Sequence, residues 1–200
     1  MTTPKLYEVA LDGRAVRLEP LRASDLDALW AVGAFSELWA LTVADCATRD
    51  DMRRWIEDAL EAAARGTALP FTTRWRASGA IVGATRFGNF EGAQRRVEIG
   101  WTWITPAHQR SIVNTEAKYL MFRHAFEVRG LNRVELKTDA LNRRSRAAML
   151  RLGATEEGVL RRHAITATGR VRDSVYYSVI REEWPRVKAH IESLLERGRA

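Results

Sequence analysis

The chain has 200 residues, 46% of them hydrophobic and 28% charged, a formal charge of +7 and one cysteine, Cys46. That length buries a continuous core without metal or disulfide help, and a lone thiol excludes an internal disulfide framework. Residues 1–10 lack a basic run followed by an apolar stretch, and no window approaches the length of a membrane span, so the reading is a cytoplasmic protein with no membrane partner.

In chain order, residues 7–18 alternate around Asp12-Gly13, a hairpin signal. Ser24 is placed to cap a helix carrying Leu26, Leu29, Trp30 and Val32. Thr48 caps a second helix, with Asp50 and Asp51 in its first turn and Met52, Trp55, Ile56, Ala59 and Leu60 on one stripe; Gly66 ends it. Three strands follow at hairpin spacing, over 70–76, 80–87 and 96–104, and read as an antiparallel meander. Residues 114–128 are helical and stop at Gly130, 133–138 form a short strand, and Asn142 caps a helix that Gly153 ends. Residues 158–166 and 171–180 make a second hairpin at Thr168-Gly169, and 184–197 form a basic amphipathic helix. The order β-α-α-β-β-β-α-β-α-β-β-α describes an α+β (mixed α/β) chain whose middle strand–helix–strand makes one right-handed parallel crossover in a mostly antiparallel, seven-stranded sheet flanked by helices. One domain, 1–200, is the economical division, with a core over about 14–182 and a C-terminal helix over 183–200.

Four ordered motifs carry a family resemblance: Glu98-Ile99-Gly100-Trp101 followed by 105–110; Asn114-Thr115-Glu116-Ala117 opening a helix; Asn142-x-x-Ser145-Arg146 leading to Leu152-Gly153-Ala154; and Glu157-Gly158-Val159-Leu160 with the strand at Tyr176-Tyr177. In this order the chain resembles the GNAT superfamily of N-acetyltransferases, in the branch that includes ribosomal-protein-alanine acetyltransferases. The resemblance implies acetyl-CoA as co-substrate and transfer of its acetyl group to a primary amine, either a protein N-terminus or a small molecule. It places the cofactor along Trp103, Ile104 and Thr105, around the loop Gln109, Arg110, Ser111, Ile112, Val113, Asn114 and Thr115, and against Asn142 and Ser145. A helix N-terminus with unpaired N–H groups is a ready pyrophosphate site, and Arg110 adds a cation.

The family loop reads Gln/Arg-x-x-Gly-x-Gly/Ala, whereas here Ile112 and Asn114 hold the small positions and 109–114 contains no glycine. Asn tolerates positive φ and caps helices; Ile does neither. The loop is therefore expected to bind phosphate with the side chains of Ser111, Asn114 and Thr115.

Attack by an amine calls for a base, and the resemblance points to Glu98, eleven residues before Gln109; the competing reading is a strand Glu facing solvent or paired with Arg95 or Arg96. Ser145 is the candidate hydrogen-bond donor to the leaving thiolate, with a plain first-turn role as alternative, and Tyr176 and Tyr177 are the runner-up acids. A backbone N–H at Trp103-Ile104 would polarise the thioester carbonyl. His108 and His163 lack metal-ligand spacing and no metal is expected. Cys46 reads as a small buried hydrophobe. The charge suits a polyanion or an arginine-rich solvated surface equally. A nucleic-acid reading on Arg143, Arg144, Arg146, Arg151, Arg161 and Arg162 ranks last, because no binding motif accompanies it. A catalytically weak CoA-binding or regulatory protein is the alternative function, and a homodimer stays open.

Overall fold

A computed structural model of the chain describes residues 4–198. Its strands are β1 (Leu11–Asp12), β2 (Val16–Pro20), β3 (Leu69–Trp75), β4 (Ile81–Glu91), β5 (Arg96–Ile104), β6 (Arg133–Asp139), β7 (Thr155–Ile165) and β8 (Val171–Ile180). They form one sheet in the order β1-β2-β3-β4-β5-β6-β8-β7, antiparallel throughout except for β5–β6. The strand beyond the seven expected is β1, the two-residue first arm of the Asp12-Gly13 hairpin. The helices are α1 (Leu26–Gly33), α2 (Arg49–Ala64), α3 (Ile112–Arg123), α4 (Arg143–Arg151) and α5 (Trp184–Arg197).

Local chemistry explains most boundaries. Thr48 caps α2 in a reciprocal box with Asp51, and Asn142 Oδ1 accepts the Ser145 N–H at 3.0 Å to start α4. Ser24 does not cap α1. It lies in a 3₁₀ turn, Ala23–Asp25, whose Asp25 carboxylate accepts the Arg22 N–H at 2.9 Å. Helix α3 begins two residues earlier than expected, because Ser111 Oγ accepts the Val113 N–H at 3.3 Å. It runs into a π turn, His124–Val128, and the wider turn rotates the apolar stripe: Ala125 and Phe126 stay buried while Val128 is 64% exposed. Strand β7 starts at Thr155 rather than Gly158, which sits at a register shift.

Two apolar clusters sandwich the sheet. On one face Phe71, Phe87, Met121, Phe122, Tyr177, Val187 and Ile191 pack beneath α3 and α5. On the other, Leu29, Trp39, Met52, Trp55, Ile56 and Trp103 pack beneath α1 and α2, with Cys46 buried among them as a small hydrophobe whose thiol burial pushes up to about 12. Helices α1 and α2 lie mainly over β4 and β3, and they meet β5 through Trp103. The same face of β5, β6 and β8 instead carries Glu98, Glu135, Lys137, Ser174, Tyr176 and Ser178.

Candidate active site

Strands β5 and β6 pair only from Arg96↔Arg133 to Glu98↔Glu135. Beyond Glu98 they part, leaving a wedge between residues 99–104 and 136–139. The two parallel strands are thus splayed at the end that leads to the loop.

Strand β5 also changes its own course at the wedge. Its register against β4 shifts between Ala84 and Arg86, and Trp101 takes φ +51°, a left-handed conformation costing an L-residue roughly 1–2 kcal/mol. The Trp101 ring lies where a Cβ on Gly88 would stand, 2.3 Å from its Cζ3, and the buried Arg86 guanidinium lies over it at 4.7 Å and over Trp55 at 5.4 Å. Both contacts offset the strain. Desolvation lowers Arg86 to about 10.

Glu98 sits at the throat of the wedge, 4% exposed. Its Oε2 accepts from Asn89 Nδ2 at 2.8 Å and Lys137 Nζ at 2.9 Å. It neither faces solvent nor pairs with Arg96, which is taken by Glu91 and Glu135. Gly100 makes room for the carboxylate, since a Cβ there would stand 2.8 Å from Glu98 Oε1. Beyond Lys137 the polar surface continues through Tyr176, His163 and Ser174 to Arg172, with His163 Nδ1 3.0 Å from Ser174 Oγ. Tyr177 faces the opposite way into the core, its hydroxyl between Glu156 at 2.9 Å and Arg146 at 3.1 Å.

The loop after β5 solves its glycine problem at a different residue. The left-handed position is Arg110, φ +60°. Ile112 and Asn114 are helical, so neither needs the positive φ that a missing glycine suggested. Ile112 packs against the core and toward the C-terminal end of α5. Gln109 donates to Ile104 O at 2.9 Å and accepts from Arg144, tying β5, the loop and α4 together. Ser111 caps α3 and donates to His108 O at 2.6 Å. Thr115 is 4% exposed, buried away from the loop surface where a phosphate would bind, and its hydroxyl accepts from Arg151 at 2.7 Å. Val113 is fully buried beneath the loop.

The backbone N–H of Thr105 goes to Val82 O on β4 at 2.9 Å. Antiparallel alternation then turns Trp103 toward β4 as well and Ile104 toward the wedge, so Ile104 alone of the Trp103-Ile104 pair offers its N–H there. The Trp103 side chain is buried with Trp39 and Trp55, at ring separations of 5.6 and 6.3 Å. Asn142 and Ser145 open α4; the Ser145 hydroxyl makes no hydrogen bond among the described residues. Arg144, Arg146 and Arg151, named in the nucleic-acid reading, are spent on Gln109, Tyr177 and Thr115. Among the described residues no group of His, Cys, Asp and Glu could hold a metal, and no helix is long and apolar enough to cross a membrane.

Sequence reasoning missed Lys137 and Asn89 as partners of Glu98, and two buried ionic residues of α3. Glu116 accepts three backbone N–H groups, from Arg14, Ala15 and Val16, at 3.0, 2.6 and 2.7 Å. Lys118 is buried against Thr85 and Thr102. The signal for Lys118 was present: it lies three residues before Met121 and seven before Ala125, on the apolar stripe itself.

Comparison with known proteins agrees with this geometry. Residues 15–155 match the model of an acetyltransferase (GNAT) domain. A GCN5-related N-acetyltransferase from Brucella melitensis superposes with a TM-score of 0.87 at 31% identity, covering 97% of this chain and 89% of that one. Mycobacterium smegmatis RimJ, solved in complex with CoA-disulfide, gives 0.78 at 25% identity over 94% of each chain. A Bacillus subtilis (strain 168) protein, YdaF, provisionally named a ribosomal N-acetyltransferase, is 34% identical over 106 residues, 53% of this chain and 57% of that protein. The chain thus spans little more than half the length of that curated relative. With the matched domain model covering most of the chain and the splayed strands in place, the protein belongs to the GNAT acetyltransferase family.

Proposed function

We propose that this protein transfers the acetyl group of acetyl-CoA to the α-amine of a protein N-terminus, with Glu98 as general base. The observation that carries the reading is the buried Glu98 carboxylate at the point where β5 and β6 part, held by Lys137 and Asn89 beside a polar strand face. The ribosomal name of YdaF supports a protein acceptor over a small amine. An α-amine suits modest base assistance: with a pKa near ~8, about a tenth of it is neutral at pH 7, against well under a thousandth of a lysine amine.

The residues present fit acetyl-CoA. The wedge leaves a strand edge for an extended chain, and Ile104 offers it an N–H. The start of α3 carries the partial positive charge that attracts a pyrophosphate, with Arg110 beside it. When bound, acetyl-CoA supplies an activated thioester. Glu98 takes the proton of the attacking amine, the Ile104 N–H stabilises charge on the carbonyl oxygen, and Ser145 donates a hydrogen bond to the leaving sulfur.

The test is thiol release over a panel of N-terminal peptides and small amines, preceded by a thermal-shift titration. Acetyl-CoA at a hundredfold its Kd should stabilise the protein by ~2.7 kcal/mol. No shift at millimolar acetyl-CoA would sink the enzyme. A shift without thiol release on any amine would favour the alternative that the glycine-free loop first suggested, a CoA-binding or regulatory protein. Turnover of small amines alone would move the acceptor assignment, and unchanged turnover in Glu98→Gln would remove the base.

A further inference from the structure

One ionic side chain beside the wedge is used by nothing described so far. Lys118 projects from α3 onto β4 and β5, 5% exposed, and donates to Thr102 Oγ1 at 2.5 Å and Thr85 Oγ1 at 3.2 Å. The two hydroxyls lie 2.7 Å apart, and Thr85 Oγ1 is 3.6 Å from Met121 Sδ. Among the described residues no carboxylate pairs with the amine. Arg86 of β4 and Glu98 of β5 turn to the opposite face, as do Arg17 and Glu19 of β2, which pair with Asp12 and Arg74. Glu116 on its own helix is committed to hairpin N–H groups, and His124 lies against Phe87.

A buried lysine without a counter-charge is costly, and a stable core has no use for it that methionine would not serve. Its partner is the unusual part. Thr102 is an interior residue of a central strand, roofed by α3, yet it is exposed. It lies four residues beyond the last β5–β6 pair and next to the left-handed Trp101, on the stretch of β5 that β6 leaves unpaired; its hydroxyl also lies 3.3 Å from Gly100 O. The bulge puts it there: it sets Trp101 and Trp103 toward the α1/α2 face and Thr102 toward α3.

We propose that Lys118, acting through the Thr102 hydroxyl, is the proton reservoir that neutralises the thiolate released during acetyl transfer. As the C–S bond breaks, its electron pair stays on sulfur. The Thr102 O–H gives its proton to sulfur and takes one from the Lys118 ammonium, which becomes a neutral amine and regains a proton from solvent after product leaves. The proton lost by the attacking amine goes separately to Glu98 on the opposite face of β5. Burial lowers Lys118 to about 7, below an ordinary thiol near ~8.5, so the transfer runs downhill. Ser145 has no such proton source behind it, which leaves it a hydrogen-bonding role. Lys118 is thus a positioning and proton-supplying residue rather than one touching substrate. The inference rests on the acetyl-CoA reading but not on which amine is the acceptor.

The chain has only four lysines, Lys5, Lys118, Lys137 and Lys188, so ¹³C-lysine labelling gives four Cε signals, assigned by Lys→Arg variants. The full chain is titrated by NMR alone, with CoA and with acetyl-CoA, and thermal shift reports binding in parallel. One signal, absent in Lys118→Arg, is expected to titrate near 7, to move by about half a pH unit or more when either ligand binds, and to lose that response in Thr102→Val. In kinetics, Lys118→Met and Thr102→Val are expected to lower kcat at least about tenfold with KM for acetyl-CoA nearly unchanged, and to lose the activity decline that the parent shows as pH rises through 7; Thr102→Ser restores both. A Lys118 signal titrating in the ordinary lysine range, or indifferent to ligands that bind, overturns the relay and leaves the acetyl-CoA reading standing. Absence of any ligand binding overturns both. Thr102→Val keeps the test decisive where Lys118→Met does not fold.

Discussion

Glu98 and Glu116 are both buried carboxylates, 4% and 3% exposed, on consecutive elements of one crossover, and they are held in different ways. Glu116 is surrounded by main chain: three successive N–H groups of the first hairpin converge on it, across about a hundred residues of sequence. Glu98 is surrounded by side chains, Lys137 and Asn89, at the mouth of an opening. A carboxylate bound to backbone is held by the fold and holds it in turn. One bound to side chains at a strand divergence can exchange a partner for substrate. Burial alone does not distinguish the two; the kind of donor does.

The contrast is broken most directly at Glu116. Replacing it with alanine strands three N–H groups and should cost about 4 kcal/mol in urea unfolding; a loss under about 1 kcal/mol would erase the distinction. Glu98→Gln is the opposite case: turnover should fall about a hundredfold while stability stays within about 1 kcal/mol of the parent. Gly13→Ala sharpens the structural side, because its Cβ would stand 2.6 Å from the Glu116 carboxyl and 2.9 Å from Val16 O; a loss of about 1–3 kcal/mol by denaturant midpoint is expected.

A pH experiment reaches the same helix from its far end. Burial depresses His124 to about 4 from an ordinary 6.5. Between those values the unfolded chain holds a proton that the folded one refuses, so stability is lost as pH falls from 6.5 toward 4 and is constant in this respect above 6.5. The loss should be on the order of 2 kcal/mol, and His124→Phe should flatten that window in pH-dependent thermal melts. Lys118 acts at higher pH, between about 7 and its unfolded value, where stability rises with pH, so the two are separable. The smallest expected effect is at Arg110: Arg110→Gly should gain up to about 1 kcal/mol by relieving φ +60° and weaken acetyl-CoA binding about fivefold by removing a cation, read by calorimetry.

The elements themselves were legible because their signals are local. Thr48 with Asp51, Asn142 with the Ser145 N–H, and Asp12-Gly13 each act on residues within a turn, so a caps-and-periods reading finds them. The family motifs likewise located Glu98 and the loop at 109–114. Where that reading failed, a competing local feature had decided. Asp25 rather than Ser24 makes the hydrogen bond at the turn before α1, and Val128 left the apolar stripe because the π turn changed the period.

The sequence by itself determined which segments are helix or strand and in what order, hence the single parallel crossover; the wedge between its strands came from the structure. Only the tertiary structure decided which partners the ionic residues have. Glu98 acquired Lys137 from 39 residues away, Glu116 a hairpin from 102, and Lys118 two threonines on different strands. It also moved the loop's strained position from the expected glycine sites to Arg110. The physical reason is that propensity and capping are settled within a few residues, whereas desolvation and charge pairing depend on which distant segments the sheet brings together.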